Sequence, residues 1–331
     1  MAIEFPAELA LVYVSYYNAE STLKKELNVK LKAISERQSQ QISDYFDNQI
    51  HVVAALSQIP DFANLVQSAI EAPADRSTTE ISPKQIRALA KYKQIFRISN
   101  FFVFSAHYRL IFSTDDYFKS GSDLTHSTLI NTELANVTER AGILLQAQSS
   151  DFTFIAGRNY PSAFISSPIQ AENGRFLGIL VVEISNAEIA KVVNDYTGLG
   201  KTGESLILSA IEGKTIATTP TRFRKLTRAE YLIGEKNPIP IGNALQGEFG
   251  SGFYTDYRQK KVFAYWTYIP ALRSALVVKI DHEEAFIPIQ NLRWILIMVV
   301  LATLAVVVIA AFSAANFFTN PIRKLTLRPV D

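Results

Sequence analysis

Hydrophobic positions follow three different rhythms along the chain. From Ser21 to about Ile70, Leu23, Leu27, Leu31, Ile34, Ile42, Tyr45, Gln49, Val53 and Leu56 recur at helical intervals, apart from a polar stretch around Gln38. This spacing, with no Gly or Pro before Pro60, predicts one long amphipathic helix. At about 1.5 Å per residue it would extend about 60 Å or more. Its stripe is wide enough to bury against a sheet as well as another helix, so a stalk and a homodimer interface both fit. The third rhythm is unbroken: Trp294 to Ala315 is apolar on every face and carries no charge, which predicts a membrane-spanning helix.

Between these helices the pattern is one of strands. Glu71 to Pro83 reads as a polar loop and Lys84 to Phe96 as a short helix. Phe101 to Ser105 and Tyr108 to Thr114 then predict a hairpin rich in aromatic and β-branched residues. Asp115 to Ser150 is polar and partly helical, and too long for an idle loop, so it is expected to cross the sheet as a lid. Strands are expected at Phe152 to Ala156, Ala163 to Ile169 and Phe176 to Ser185, the last two joined by an Asn173-Gly174 turn. The order then repeats: a helix at Ala187 to Tyr196; a hairpin of Ser205 to Ala210 and Lys214 to Thr219 around Glu212-Gly213; irregular chain over Thr221 to Leu245; and strands at Phe249 to Tyr257, Val262 to Ile269 and Ala275 to Asp281. The pattern predicts an α+β fold, two five-stranded antiparallel units in tandem on one long helix.

Charge around the apolar helix sets an orientation. Asp281, Glu283 and Glu284 precede it and Arg323, Lys324 and Arg328 follow, so the positive-inside rule puts the C-terminus in the cytoplasm and the sheet units outside. Arg293 would snorkel at the outer interface. At the other end, Leu9 to Tyr17 is apolar but too short for a span, and the residues before it lack the basic start of a signal peptide. Residues 1–19 read as the remnant of a first membrane helix or a tag, or alternatively as the first turns of a soluble helix. With 33 Lys and Arg against 31 Asp and Glu, and no long basic run, nothing suggests a nucleic-acid surface. The absence of Cys excludes disulfides, thiol chemistry and cysteine metal sites.

Catalytic and cofactor patterns are weak. Gly198, Gly200 and Gly203 spell G-x-G-x-x-G, but a dinucleotide fingerprint must follow a strand and open a helix, and here a helix precedes and a strand follows. A phosphate loop would need Gly where Asp195 stands. The glycines read as a helix stop and a sharp turn into the sheet. His51, His107, His126 and His282 are scattered without paired spacing, so no metal is expected. No nucleophile elbow or distinct carboxylate pair appears, and no cofactor is expected. The first sheet offers the better candidate: Phe104, Tyr108 and Phe112 from the hairpin, Asp151, Phe154, Arg158 and Tyr160 from the third strand and its exit, Ser166 on the fourth and Glu183 on the fifth. An apolar lining with few polar anchors suits a small ligand beneath the lid. Glu183 stands out, because it interrupts Ile179 and Val181 on one face of an apolar strand, where a carboxylate needs a partner.

Three stretches carry a family resemblance. Ser150 to Ser185 (SDFTFIAGRNYPSAFISSPIQAENGRFLGILVVEIS) resembles the end of the membrane-distal module of the double Cache sensor family, and Tyr196 to Leu208 (YTGLGKTGESLIL) resembles the entry into its proximal module. Phe317 to Thr326 (FFTNPIRKLT) is similar to the junction where a span enters a HAMP linker, with Pro321 as its proline. The resemblance implies a scaffold over residues 20–95, distal and proximal PAS-like modules over 96–186 and 187–290, a span over 293–318 and a HAMP stub over 319–331. It further implies a periplasmic small-molecule sensor in a bacterial inner membrane, feeding chemotaxis domains, histidine kinases or cyclases, with ligand usually held in the distal module. In amino-acid binders of the family an acidic residue near the end of the last distal strand holds the ligand amine. Glu183 matches it, as Glu where Asp is usual. Those members also carry an Arg-x-Trp-Tyr run in the lid, which is missing between Asp115 and Ser150. The competing readings are an enzyme whose catalytic part lies beyond this sequence and a ligand-free, membrane-anchored structural or interaction protein.

Overall fold

The structure, a computed structural model, describes residues 4–71, 82–96, 98–115, 117–118, 120–124, 132–155, 160–184, 186–211, 214–224 and 239–326. Most of the expected loop at 71–83, part of the lid, Arg158, the Glu212-Gly213 turn and Arg328 lie outside these residues. Contacts divide the chain into two units, residues 1–29 with 282–331 and residues 30–281.

In the larger unit, helix α1 (Glu4–Ser57) contributes its length from Lys30 onward. Leu31, Ile34, Ile42, Phe46, Val53 and Leu56 are buried along one stripe, with Phe46 taking the place expected of its neighbour Tyr45. The polar interruption at Gln38 is also buried: its Nε2 donates to the Val192 carbonyl at 3.1 Å, at the end of α5 (Asn186–Val193). The predicted helix ends earlier than its apolar rhythm suggests. Gln58 and Ile59 form a turn, and Pro60, which has no N–H to give, opens a separate helix α2 (Pro60–Glu71). Helix α3 (Pro83–Ile95) starts on a capping box between Ser82 and Gln85.

The sheet of the expected distal module contains β1 (Asn100–Ser105), β2 (Leu110–Ser113), β3 (Gln148–Ser149), β4 (Thr153–Phe154), β5 (Pro161–Gln170) and β6 (Phe176–Ile184). Its order is β2-β1-β6-β5-β3, with β4 also paired to β5, and every described pairing is antiparallel. The strand expected at Phe152 to Ala156 is reduced to β4, and β3, in the stretch expected as lid, adds a further short edge strand, which makes six strands. Helix α4 (Glu133–Leu144), within the expected lid, covers one face. There Leu134, Val137 and Ala141 pack on Phe102, Phe104, Phe164, Ile179 and Val181. Helix α2 covers the other face, where Phe62 meets Phe101 edge-on with ring centroids 5.8 Å apart. Burying each such side chain supplies about 1.5–3 kcal/mol.

The sheet of the expected proximal module repeats the scheme with β7 (Glu204–Ile211), β8 (Lys214–Ala217), β9 (Gly250–Thr255), β10 (Lys261–Ile269) and β11 (Ser274–Asp281), in the order β8-β7-β11-β10-β9. In both sheets the last strand is central, flanked by the first and the penultimate. Helix α6 (Ile239–Leu245) packs Ile241 and Ala244 on Leu206, Ala264, Val277 and their neighbours. The glycine motif is a turn, as its context suggests: Gly198 and Gly200 have φ of +83° and +69°, and a Cβ on Gly203 would meet the Leu199 carbonyl at 2.1 Å.

In the smaller unit, α7 (His282–Ala285) leads into α8 (Ile287–Thr326). Within Ile287–Ala315 the most apolar 18-residue window has a mean hydropathy of 3.2 and none of that window is buried, which fits a membrane span. Tyr13 and Tyr16 of α1 face Leu296, Ile297, Val300 and Leu301 across an apolar cavity of about 420 Å³.

Candidate ligand site

Alternation in β6 places Glu183 on the α4 side of the distal sheet, opposite Asn100 of β1 and Phe164 of β5. Its carboxylate is buried yet well supplied with hydrogen bonds. Ser162 Oγ donates to Oε1 at 2.6 Å and Asn100 Nδ2 donates to Oε2 at 2.8 Å, while Lys93 Nζ donates to Asn100 Oδ1 at 3.0 Å. Asn100, Ser162 and Glu183 meet at a cavity of about 210 Å³, which Tyr160 and Asn186 also line. Asn186 is fixed by donating from Nδ2 to the carbonyls of Pro161 and Thr218. With its N–H groups so committed, its buried Oδ1 has no hydrogen-bond partner among the described residues. The cavity is therefore walled by a carboxylate, an acceptor suited to a group that donates hydrogen bonds.

Of the nine residues expected to converge, the structure brings Tyr160 and Glu183 to this cavity and disperses most of the rest. Arg158 lies outside the described residues, and Phe154 is half-buried in β4. Phe104 is core beneath α4, with Tyr108 packed against the same cluster. Tyr108 takes a left-handed φ of +59° in the hairpin turn, and burial, then Glu139, push its phenol above the ordinary range. Phe112 is on the wrong face: a bulge between Val103 and Phe104 seats it opposite Val103, and its ring meets Phe101 at 5.6 Å, on the α2 side. Asp151 is engaged elsewhere, with its Oδ1 2.9 Å from Nη1 of Arg273 in the proximal module. Burial raises its carboxyl above the ordinary range, more than Arg273 lowers it. Ser166 is fully buried and donates to the Val137 carbonyl of α4 at 2.7 Å, which ties lid to sheet. Sequence reasoning passed over Asn100, Ser162 and Asn186. Ser162 was the legible one, since it shares the alternation of Phe164 and Ser166 on β5.

A second buried polar cluster occupies the proximal module. Lys279 Nζ lies 3.0 Å from Glu204 Oε2 and contacts Asp256 Oδ2, and both Lys279 and Glu204 have fully buried side chains. The Tyr257 hydroxyl donates to Glu204 at 2.9 Å and the Arg222 backbone N–H at 2.6 Å. Arg258 Nε donates to Asp256 Oδ2 at 2.8 Å, and its guanidinium also contacts Asp281. Burial alone would raise the Asp256 carboxyl, but Lys279, with hydrogen bonds from Arg258 and the Lys260 backbone, holds it below the usual carboxylate range. Burial, then Glu204, raise the Tyr257 phenol, so it stays a donor.

Residues 19–289 match the Cache domain family. The chain belongs to that family. Among solved structures, the Cache fold here is similar to the sensor domain of the histidine kinase DctB from Vibrio cholerae, at 12% identity, a TM-score of 0.53, and coverage of 79% of this chain and 98% of that one. It is also similar to the ligand-binding domain of the Pseudomonas aeruginosa chemoreceptor PctB in complex with L-Arg (14%, TM-score 0.50, 81% and 93%). The Pseudomonas fluorescens chemoreceptor CtaA in complex with L-alanine gives similar values (13%, TM-score 0.50, 78% and 99%). At these identities the likeness is one of fold. No curated protein matches the sequence.

Proposed function

We propose that this Cache protein is the extracytoplasmic sensing part of a bacterial membrane receptor, with a small molecule bearing a protonated amine as its ligand in the distal module. The observation that carries the reading is the cavity lined by the buried Glu183 together with Asn100, Ser162 and Asn186. A buried carboxylate binds an ammonium through charge-assisted hydrogen bonds. A cavity of about 210 Å³ limits the ligand to a compact one. The chemoreceptors PctB and CtaA were solved with amino acids, which are ammonium compounds, in keeping with this choice. Helix α8 crosses the inner membrane with its basic end in the cytoplasm, α1 joins two copies as a homodimer, and the output domain is of the chemotaxis, histidine-kinase or cyclase type.

One observation favours a ligand-free module: the space between α4 and the sheet is filled by Phe102, Phe104, Phe118 and Phe164. A thermal-shift panel on the full chain in nanodiscs separates the two readings. Small primary ammonium compounds should raise Tm, whereas their neutral alcohol and quaternary counterparts should not. A flat response across a broad panel of compact amines sinks the ligand reading.

A further inference from the structure

The chain carries one five-residue block twice, Leu180-Val181-Val182-Glu183-Ile184 in β6 and Leu276-Val277-Val278-Lys279-Ile280 in β11, differing only at the fourth residue. Register makes those two residues equivalent. Glu183 lies opposite Asn100, the first residue of β1, and Phe164, the fourth of β5. Lys279 lies opposite Glu204, the first residue of β7, and Ala264, the fourth of β10. Both stand on the face that the module's own helix covers, α4 in one case and α6 in the other. One module thus presents an anion where its twin presents a cation.

The groups around the Lys279 ammonium are held in place without it. Glu204 is fixed by the Tyr257 hydroxyl and the Arg222 backbone N–H, and Asp256 by the Arg258 side chain and the backbone N–H groups of Arg258 and Lys260. The Tyr257 ring, 4.4 Å from Lys279 Nζ, closes a further side with its π face. Two carboxylates and an aromatic face make a preorganised cation site, and the occupant arrives on a flexible four-carbon stem.

We propose that Lys279 is a ligand built into the proximal module: its ammonium fills a carboxylate-lined cation site under α6, so this module is loaded by its own chain and accepts an outside amine only when Lys279 is removed. Sensing is then divided, with the distal module open to ligand and the proximal one permanently occupied, its last strand held next to the segment that leads into α8. The contrast with the distal module rests on the amine reading of the Glu183 cavity, whereas the occupancy by Lys279 does not.

The test is chemical rescue of the full chain in nanodiscs. Lys279→Ala deletes the equivalent of one propylammonium ion and should lower Tm by about 6–20 °C, the loss expected when one partner of a buried ion pair is removed. Propylammonium at about ten times its Kd should then raise the variant's Tm by about 3–6 °C more than it raises wild type. Propanol and tetramethylammonium should do neither. Because Glu183 is present in both proteins, any response of the distal cavity cancels in the difference, and a failed distal reading leaves this comparison intact. Equal shifts in variant and wild type, or equal rescue by propanol, overturn the proposal. Should Lys279→Ala purify unfolded, refolding with and without propylammonium decides: folded protein recovered only with the cation supports the built-in ligand, and equal failure overturns it.

Discussion

Gly178 of β6 sits opposite Ser105 at the end of β1. A Cβ there would lie 2.2 Å from the Phe104 carbonyl oxygen, against an ordinary contact of about 3.5 Å, so β1 must retreat by more than about 1 Å. Overpacking of this kind costs about 1–3 kcal/mol, and the loss of one ladder hydrogen bond adds about 1. With about 2–4 °C of Tm per kcal/mol in a unit of this size, Gly178→Ala should lower Tm by about 4–16 °C. Two other glycines calibrate the result. Gly174, at φ +79° in open space, carries only left-handed strain, so Ala should cost about 1–2 kcal/mol there. Gly242, in α6 with open space around it, should gain about 0.5–1 kcal/mol from Ala. The assay is thermal melting of the three variants beside wild type, followed by amine titration. The same strand pair holds Asn100 against Glu183, so Gly178→Ala should also weaken the amine-induced shift, while the other two leave it intact. If Gly178→Ala lowers Tm by less than about 4 °C, the close approach of β1 and β6 is wrong.

Two more outcomes follow from the charges. Asp256 has a folded-state pKa below its unfolded value of about 3.9, so its contribution to stability is complete above that value and is lost as the pH falls through the lower folded one. Melting temperature should therefore fall more steeply below about pH 4 for wild type than for Asp256→Asn, and parallel profiles would contradict the assignment. For topology, the chain has no Cys, so a single cysteine at exposed Ile143 should react with a membrane-impermeant maleimide in spheroplasts, whereas one at Leu325 should react only after lysis. The reverse pattern places the modules inside.

Much of this architecture was legible because its signals are local. The stripe from Leu31 to Leu56 and the charge-free run of α8 follow from periodicity alone, and strand alternation by itself puts Glu183 on the face of Ile179 and Val181, which α4 covers. What escaped depends on events that a single strand does not announce. Phe112 changed face because of a bulge in the β1–β2 pair, and Asp151 found its partner in Arg273 of the other module. Lys279, Glu204 and Asp256 are far apart in sequence and meet only through sheet pairing and the turn after β9. A signal for them did exist, since Lys279 interrupts an apolar strand in the same way as Glu183. Its meaning needed the register of both sheets.

The central claim is that Glu183 holds a ligand amine, and the most direct measurement compares the amine-induced Tm shift of Glu183→Gln with that of wild type. Gln keeps the shape and stays hydrogen-bonded, its oxygen accepting from Asn100 and its amide donating to the Ser162 hydroxyl, but it lacks the charge that would hold an ammonium. An amine at about 100 times its Kd stabilises wild type by about 2.7 kcal/mol, or about 5–11 °C. The account predicts that Glu183→Gln loses this shift while its ligand-free Tm stays within a few degrees of wild type. A variant that retains the full shift, or one that no longer folds, contradicts it.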